Sequence, residues 1–345
     1  MKILVTGAAG FIGSRCAEDL AKRGDDVIGI DNINDYYDVN LKYSRLNRTG
    51  IRSNCNLFPV GYKIISDLYP NYSFIRLDIS DGNKISQLFR QEEFDKVINL
   101  AAQAGVRYSI TNPYAYLTSN LTGFLNILEG CRHNKIKHLV YASSSSVYGM
   151  NEKTPFNEND VVISPVSLYA ATKKSDELLA YAYCNLYKIP CTGLRYFTVY
   201  GPYGRPDMVP MIFSSAMRCG EPIKVFNNGN MIRDFTYIDD IVNGTIQTLD
   251  IIPKKNKNFY NLQYDIYNIG CGHPVNLMDF IKLLEIKFNK KANIIFMPMQ
   301  PGDVKVTYAD TSKLAKGIGY KPIIELDEGI ERFVGWYKTY YKCLT

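Results

Sequence analysis

Lys2-Ile3-Leu4-Val5-Thr6-Gly7-Ala8-Ala9-Gly10-Phe11-Ile12-Gly13 is a short run of strand formers that breaks into three glycines spaced Gly-x-x-Gly-x-x-Gly. Helical composition follows from Arg15 to Lys22, and a second strand, Asp26-Val27-Ile28-Gly29-Ile30, ends at Asp31. Strand, glycine turn, helix, strand and terminal carboxylate, in that order, predict a dinucleotide site. Gly7 permits the tight turn, Gly10 lets backbone N–H groups approach a pyrophosphate at the helix N-terminus, and Gly13 lets helix and strand pack closely. Asp31 stands where a carboxylate accepts hydrogen bonds from an adenosine ribose. It favours NAD over NADP, because a 2′-phosphate beside it would be repelled. A glycine triplet alone is weak evidence, since glycine turns are common; the elements in register around it carry the reading.

A chain of 345 residues can bury a large core. The alternation of strands and helices predicts an α/β protein, with a Rossmann-type doubly wound parallel sheet in residues 1–208. A smaller C-terminal α/β lobe for the substrate is expected in residues 209–345, with segments returning to the core. The formal charge of +6 suits an anionic small substrate, although a merely soluble surface explains it equally well. No Lys/Arg block resembles a nucleic-acid arm. The eight cysteines, Cys16, Cys55, Cys131, Cys184, Cys191, Cys219, Cys271 and Cys343, are scattered without C-x-x-C or metal-ligand spacing. Reduced thiols in a cytoplasmic protein and no metal site are the expectation. Met1 leads straight into the first strand and no apolar run reaches membrane-spanning length, so neither a signal peptide nor a transmembrane helix is expected.

The stretch from Asn32 to Pro70 reads as an insertion, part helix and part surface loop. Ser73–Leu77 is a strand ending at Asp78-Ile79, where a side chain can bond the adenine edge. Lys96–Leu100 is the next strand and runs into Ala101-Ala102-Gln103-Ala104-Gly105. Small residues at the carboxyl end of a parallel strand let a cofactor lie against backbone, although a small-residue turn in a packed sheet has the same composition. Asn112–His133 reads as one long helix with an apolar face. Asn120 is its polar exception: either it orients a backbone group near the nicotinamide or it is a satisfied core amide.

The chemistry is concentrated in the next two segments. The strand His138–Ala142 delivers four consecutive hydroxyls, Ser143 to Ser146, to the carboxyl edge of the sheet. After a loop holding Pro155 and Pro165, Tyr169-Ala170-Ala171-Thr172-Lys173 opens a helix running to Tyr187. Spacing i, i+4 puts Tyr169 and Lys173 on one helical face. A cation beside a phenol favours the phenolate, which can then take a proton near neutral pH. A serine hydroxyl bonded to the same substrate oxygen completes the set.

Over nearly its whole length the chain resembles the extended short-chain dehydrogenases, the group of nucleotide-sugar epimerases, dehydratases and decarboxylases. The glycine spacing, the serine cluster and Tyr-x-x-x-Lys carry that resemblance. It implies Ser144, Tyr169 and Lys173 as the catalytic set and NAD as cofactor, with Phe11, Ile12, Asn32, Leu100 and Tyr196 joining the cofactor contacts. The 4,6-dehydratases carry Thr-Asp-Glu where this chain has Ser144-Ser145-Ser146, and the related decarboxylases carry Glu where Ser146 stands. Three further stretches, Asn34–Lys42, Arg195–Met208 and Met299–Val304, resemble the UDP-glucuronate 4-epimerases. That branch implies transient oxidation at C4 to a 4-keto sugar and hydride return to the opposite face, converting UDP-glucuronate to UDP-galacturonate. Polysaccharide precursor supply is the natural use. The other activities open to this group are 4-epimerisation of UDP-N-acetylglucosaminuronate or UDP-glucose, and UDP-glucuronate decarboxylation.

By the same resemblance Ser145, Ser146 and Thr198 hold the sugar carboxylate with Arg205 nearby, and Ser144 serves both the C4 oxygen and the carboxylate. Val225 and Phe226 flank the nucleobase, and Arg233 takes the UDP diphosphate, for which a planar guanidinium fork is well suited. A surface pair of Arg233 with Asp234 or Asp239 is the alternative. The resemblance also implies Gln300, standing where galactose-type epimerases have a nucleotide-contacting Arg, and Asp303 as substrate-binding residues. Thr307 stands where related epimerases carry a bulky aromatic, which leaves room for a 2-acetamido group. The resemblance further implies a homodimer paired through helices near 112–133 and 168–187.

Overall fold

The computed structural model describes residues 1–52, 58–255, 257–300 and 303–342. Cys55, Cys343, Asn256, Pro301 and Gly302 lie outside the described residues. Thirteen strands are described in chain order: β1 (Lys2–Thr6), β2 (Asp26–Asp31), β3 (Lys63–Ile65), β4 (Tyr72–Arg76), β5 (Lys96–Asn99), β6 (His138–Ser144), β7 (Cys191–Tyr196), β8 (Thr198–Tyr200), β9 (Ile223–Val225), β10 (Ile232–Tyr237), β11 (Tyr264–Ile269), β12 (Pro274–Asn276) and β13 (Ile294–Phe296). The main sheet has eight strands in the order β11-β7-β6-β5-β1-β2-β4-β3. All its pairings are parallel except β3 with β4. The central strands are buried on both faces, with Ile3-Leu4-Val5 of β1 and Val97-Ile98 of β5 supplying consecutive apolar residues to both. After β1 the chain moves outward to β2 and β4, then crosses to β5 on the other side. The strand order therefore reverses between β1 and β5, and ligands of open α/β sheets bind at such a crevice.

Beyond Tyr196 the chain builds smaller sheets, β12-β10-β8 and β13-β9. β11 then returns to the edge of the main sheet, in parallel register with β7. β8 pairs with β10, so strands from both sides of residue 208 share one sheet. The insertion holds a helix, Val39–Arg48, capped by Asp38. Its Arg45 is fully buried and donates to Ala9 O at 3.1 Å and to Tyr203 O at 2.8 Å, bolting the glycine turn to the loop after β8.

The expected continuous helix Asn112–His133 is broken. Pro113–Tyr116 is α-helical, Leu117–Thr122 forms a π turn, and the α-helix resumes at Gly123–His133. A π turn adds a residue without adding length, so the face presented to the core changes there. Asn120 sits inside it and is 1% exposed.

His138, at the start of β6, is buried with Nδ1 3.0 Å from Leu249 O and Nε2 2.9 Å from Thr192 Oγ1. The carbonyl only accepts, so Nδ1 carries the proton and the threonine hydroxyl donates to Nε2. Burial pushes the imidazole down to about 4, so the fold holds it neutral. The unfolded chain takes up this proton first, and stability is lost as pH falls from 6.5 through 4, by about 3 kcal/mol. His138→Asn is expected to lack this loss. Melting temperature against pH for both proteins checks it, and equal slopes between pH 6.5 and 4 would refute the assignment.

Candidate active site

A cavity of about 660 Å³ runs along the carboxyl ends of the central strands. Its floor is the glycine turn. Gly7 has φ +71°, and a Cβ on Gly13 would lie 2.1 Å from Gly7 O, so neither position tolerates a side chain. The helix Phe11–Lys22 begins at Gly10 with no side-chain cap and no acidic residue in its first turn, which leaves its leading N–H groups for an anion. At the end of β2 the Asp31 carboxylate accepts from Ile33 N at 2.8 Å and Ala9 N at 3.2 Å, and Lys42 Nζ lies 3.7 Å away. These bonds aim it across the turn. Asn32 donates to Asp78 at 2.8 Å. Burial alone would raise the Asp78 carboxyl, but bonds from Asn32 and Ser80 hold it below the usual range. Donors, carboxylate and glycine clearance fit a dinucleotide along this floor.

The second half of the wall carries hydroxyls. β6 ends in Ser143 and Ser144, and Ser144 Oγ accepts from Ser146 N at 3.2 Å to cap the tight turn Ser145–Tyr148. The next helix, Leu168–Tyr187, is capped by Ser167, whose side chain accepts from Ala170 N at 3.1 Å. That cap fixes the first two turns, and Tyr169 and Lys173 both reach the cavity. Lys173 Nζ donates to Ala142 O at 2.9 Å and to Asp176 Oδ2 at 3.1 Å. The Tyr169 ring meets Tyr116 edge to face at 6.1 Å, and Tyr116 in turn packs beside Tyr108 and Tyr108 beside Tyr36.

At the far end, Arg205 is held by Asp207 through Nε at 3.0 Å and Nη2 at 2.5 Å, and Tyr36 OH donates to the same carboxylate at 3.1 Å. Burial and the adjacent Asp207 charge push the Tyr36 hydroxyl up to about 12. Arg233 donates to the carbonyls of Ile232, Val304 and Lys305 at 2.8, 2.7 and 3.1 Å. It has no carboxylate partner among the described residues. Asp234 instead accepts from Cys271, Gly272 and Ala309 backbone, and Asp239 pairs with Arg15, so the surface-pair alternative does not describe this Arg. Arg107 bridges the mouth, paired with Asp303 at 3.2 Å and lying 5.1 Å over the Phe226 ring.

Most residues singled out from the sequence line this cavity. They are Gly7, Gly10, Phe11, Ile12, Gly13, Asp31, Asn32, Asp78, Ile79, Leu100 through Gln103, Ser144 through Ser146, Tyr169, Lys173, Tyr196, Thr198, Arg205, Arg233 and Asp303. Four do not. Asn120 stands behind the wall, its amide spent on Gln103 N at 2.8 Å, Gln103 O at 3.1 Å and Thr172 Oγ1 at 3.0 Å, so it shapes the Gln103 backbone as a buried amide. Val225 is fully buried in the lobe core because alternation along β9 turns it inward. Phe226 opens a tight turn beneath Arg107, and Gln300 is turned inward with a buried Oε1 that has no hydrogen-bond partner among the described residues. Thr307 is likewise buried, Oγ1 accepting from Asp234 N at 3.4 Å, and does not border the cavity. Sequence reasoning missed Lys42, Arg107, Asp207 and the tyrosines 36 and 108. The signal for Tyr36 and Asp207 lies in the aromatic stretch Asn34–Lys42 and in Arg205-Pro206-Asp207, which carry a resemblance but no chemical pattern of their own.

The model of the NAD dependent epimerase/dehydratase family matches residues 3–270. Protein CapI of Staphylococcus aureus is 46% identical, covering 99% of this chain and 100% of that protein. UDP-glucuronate 4-epimerase 4 of Arabidopsis thaliana is 44% identical over 98% of this chain and 76% of its own. The crystal structure of UDP-glucuronic acid 4-epimerase from Bacillus cereus, in complex with UDP-glucuronic acid and NAD, superposes with a TM-score of 0.86 at 35% identity, covering 99% of this chain and 100% of that one.

Proposed function

We propose, since the chain belongs to the NAD dependent epimerase/dehydratase family, that it interconverts UDP-glucuronate and UDP-galacturonate. It is an NAD-dependent nucleotide-sugar 4-epimerase, and the uronic acid is the finer part of the reading. The observation that carries the finer part is that Ser144, Ser145, Ser146 and Thr198 line the same cavity as Tyr169 and Lys173. The likeness to epimerases of UDP-glucuronate in Arabidopsis thaliana and Bacillus cereus supports it.

In this mechanism Tyr169 takes the C4 hydroxyl proton and gives it back after inversion. Ser144 donates to the same oxygen, and Lys173 steadies the phenolate electrostatically. NAD held over the glycine turn and Asp31 would supply the hydride acceptor for C4 and the donor for its return. Arg233, whose guanidinium hydrogen-bonds neutral carbonyls and a thioether among the described residues, holds the diphosphate while the sugar turns about its link to it. Oxidation at C4 makes a β-keto acid, which loses CO₂ when the breaking C5–C6 bond aligns with the carbonyl π-system. Short hydroxyls from Ser145, Ser146 and Thr198 fix the carboxylate out of that alignment. Thr198→Ala with Ser146→Ala is therefore expected to release UDP-pentose at about tenfold the wild-type fraction or more, the loss of one or two good hydrogen bonds. Product analysis by NMR checks it, and an unchanged pentose fraction would remove these residues from carboxylate restraint.

The apolar residues Ile110, Tyr114, Leu117, Leu125, Leu178, Leu186 and Tyr187 are exposed on or beside the helices of 108–133 and 168–187. They suit the expected homodimer. No helix among the described residues is long and apolar enough to cross a membrane, and the free cysteines suit a cytoplasmic enzyme. The test of the function is incubation with UDP-glucuronate and NAD while anomeric signals are followed by NMR. UDP-galacturonate without net NADH supports it. UDP-pentose moves the chain to the decarboxylases, and turnover of UDP-glucose or UDP-N-acetylglucosaminuronate alone overturns the uronic-acid assignment.

A further inference from the structure

Asp176 is 2% exposed and lies one turn beyond Lys173 on the same helix. Its Oδ2 accepts from Lys173 Nζ at 3.1 Å, while its Oδ1 is buried with no hydrogen-bond partner among the described residues. No other cation pairs with it among the described residues. The neighbouring Glu177 carries like charge, and its own partners are Arg195, Lys174 and Ser143. Lys173 has three hydrogens: one is fixed by Ala142 O at 2.9 Å, one by Asp176, and one is left for whatever enters the cavity.

We propose that Asp176 is a positioning residue that pins the Lys173 ammonium against β6 and limits the positive field Lys173 exerts at Tyr169. The inference rests on Tyr169 being the acid/base of the proposed function. A lysine alone favours the phenolate; a carboxylate touching that lysine cancels part of the attraction and works against phenol ionisation. The arrangement keeps the cation in place while moving the pH window of turnover upward. Burial raises the Asp176 carboxyl to about 6, against the pull of Lys173, so the restraint is in force above that pH and fades below it.

Asp176→Asn keeps the shape and an acceptor for Lys173 and removes the charge. Removing one charge at a separation of about 10 Å in a medium of effective dielectric near 20 displaces a titration by about one pH unit. The acidic limb of kcat is expected to move about one unit lower in Asp176→Asn, with the KM for UDP-glucuronate unchanged. An independent readout is NMR of protein labelled at tyrosine Cζ, with the Tyr169 resonance identified by its loss in Tyr169→Phe. In wild type that resonance should show a second inflection near pH 6, from Asp176 itself, and the variant should lack it. A superimposable kcat profile in a folded variant would overturn the proposal. So would a wild-type resonance with no inflection near pH 6, which needs no variant at position 176. If Tyr169→Phe keeps its turnover, the acid/base reading fails, whereas an unchanged Asp176→Asn profile beside an inactive Tyr169→Phe sinks the positioning role alone.

Discussion

Tyr169→Phe is expected to lower kcat about a thousandfold while leaving the binding of UDP-glucuronate and NAD intact, since positioned acid/base groups contribute about 10²–10⁴. The expectation rests on what the substitution leaves behind. A phenyl ring in place of the phenol keeps the edge-to-face contact with Tyr116, and Lys173 keeps Ala142 and Asp176, so the wall does not collapse. What disappears is the phenol oxygen that, in the proposed mechanism, exchanges a proton with O4; Tyr169 stands four residues before Lys173 on the same helix and lines the same cavity. Ser144 cannot replace it, because its oxygen is engaged in capping the turn at Ser146 and an alcohol is too weak a base. In the proposed binding mode the ligands are held instead by Arg233, the glycine turn and Asp31, none of which bonds to Tyr169 among the described residues. Calorimetric titration with UDP-glucuronate and NMR turnover assays separate the two effects. Turnover within tenfold of wild type would remove Tyr169 from the chemistry.

What can be read from sequence alone shares a physical property: it is local. The glycine turn, Asp31 at a strand end, the serines closing β6 and the Tyr169/Lys173 pair are each set by neighbours within a few residues, and all reach the cavity. The sequence reading stops short where contacts are distant or where helical phase is altered. Spacing puts Asn120 on an uninterrupted helix, and the π turn at Leu117–Thr122 changes which residue faces the wall. Resemblance puts Val225 beside a nucleobase, and alternation along a strand of three residues turns it into the lobe core. Arg45 gives no signal at all. It lies in a polar, poorly periodic insertion, and its acceptors at Ala9 and Tyr203 are separated from it by 36 and 158 residues. No periodicity encodes such a bond, yet it joins the glycine turn to the loop that carries Arg205.

The largest expected loss of stability comes from another group hidden from sequence reading, the buried pair Glu177 and Arg195. Arg195 Nε and Nη2 grip the two oxygens of Glu177 at 2.8 and 2.9 Å, and Ser143 Oγ donates to the same carboxylate at 2.7 Å. On its other side Arg195 donates to Tyr148 OH at 3.0 Å, and Tyr148 donates to Asn268 at 2.6 Å. The network thus ties the Tyr169 helix, β6, β7, the turn after Ser144 and β11. Burial alone would raise the Glu177 carboxyl, but Arg195 holds it below the usual range, so it remains an anion through neutral pH. Glu177→Ala leaves a buried guanidinium uncompensated, which costs about 3–5 kcal/mol. In a chain of this size that lowers Tm by roughly 5 °C. Activity should fall as well, because Ser143 loses the partner that anchors the serine turn. Replacing both partners, Glu177→Leu with Arg195→Met, should recover much of the Tm, since two apolar side chains need no counter-charge. It should not recover activity, because the turn that carries Ser144 to Ser146 is still without its anchor. A double variant that regains stability and turnover together would mean that the pair only fills space. A single variant as stable as wild type would mean that water reaches Arg195.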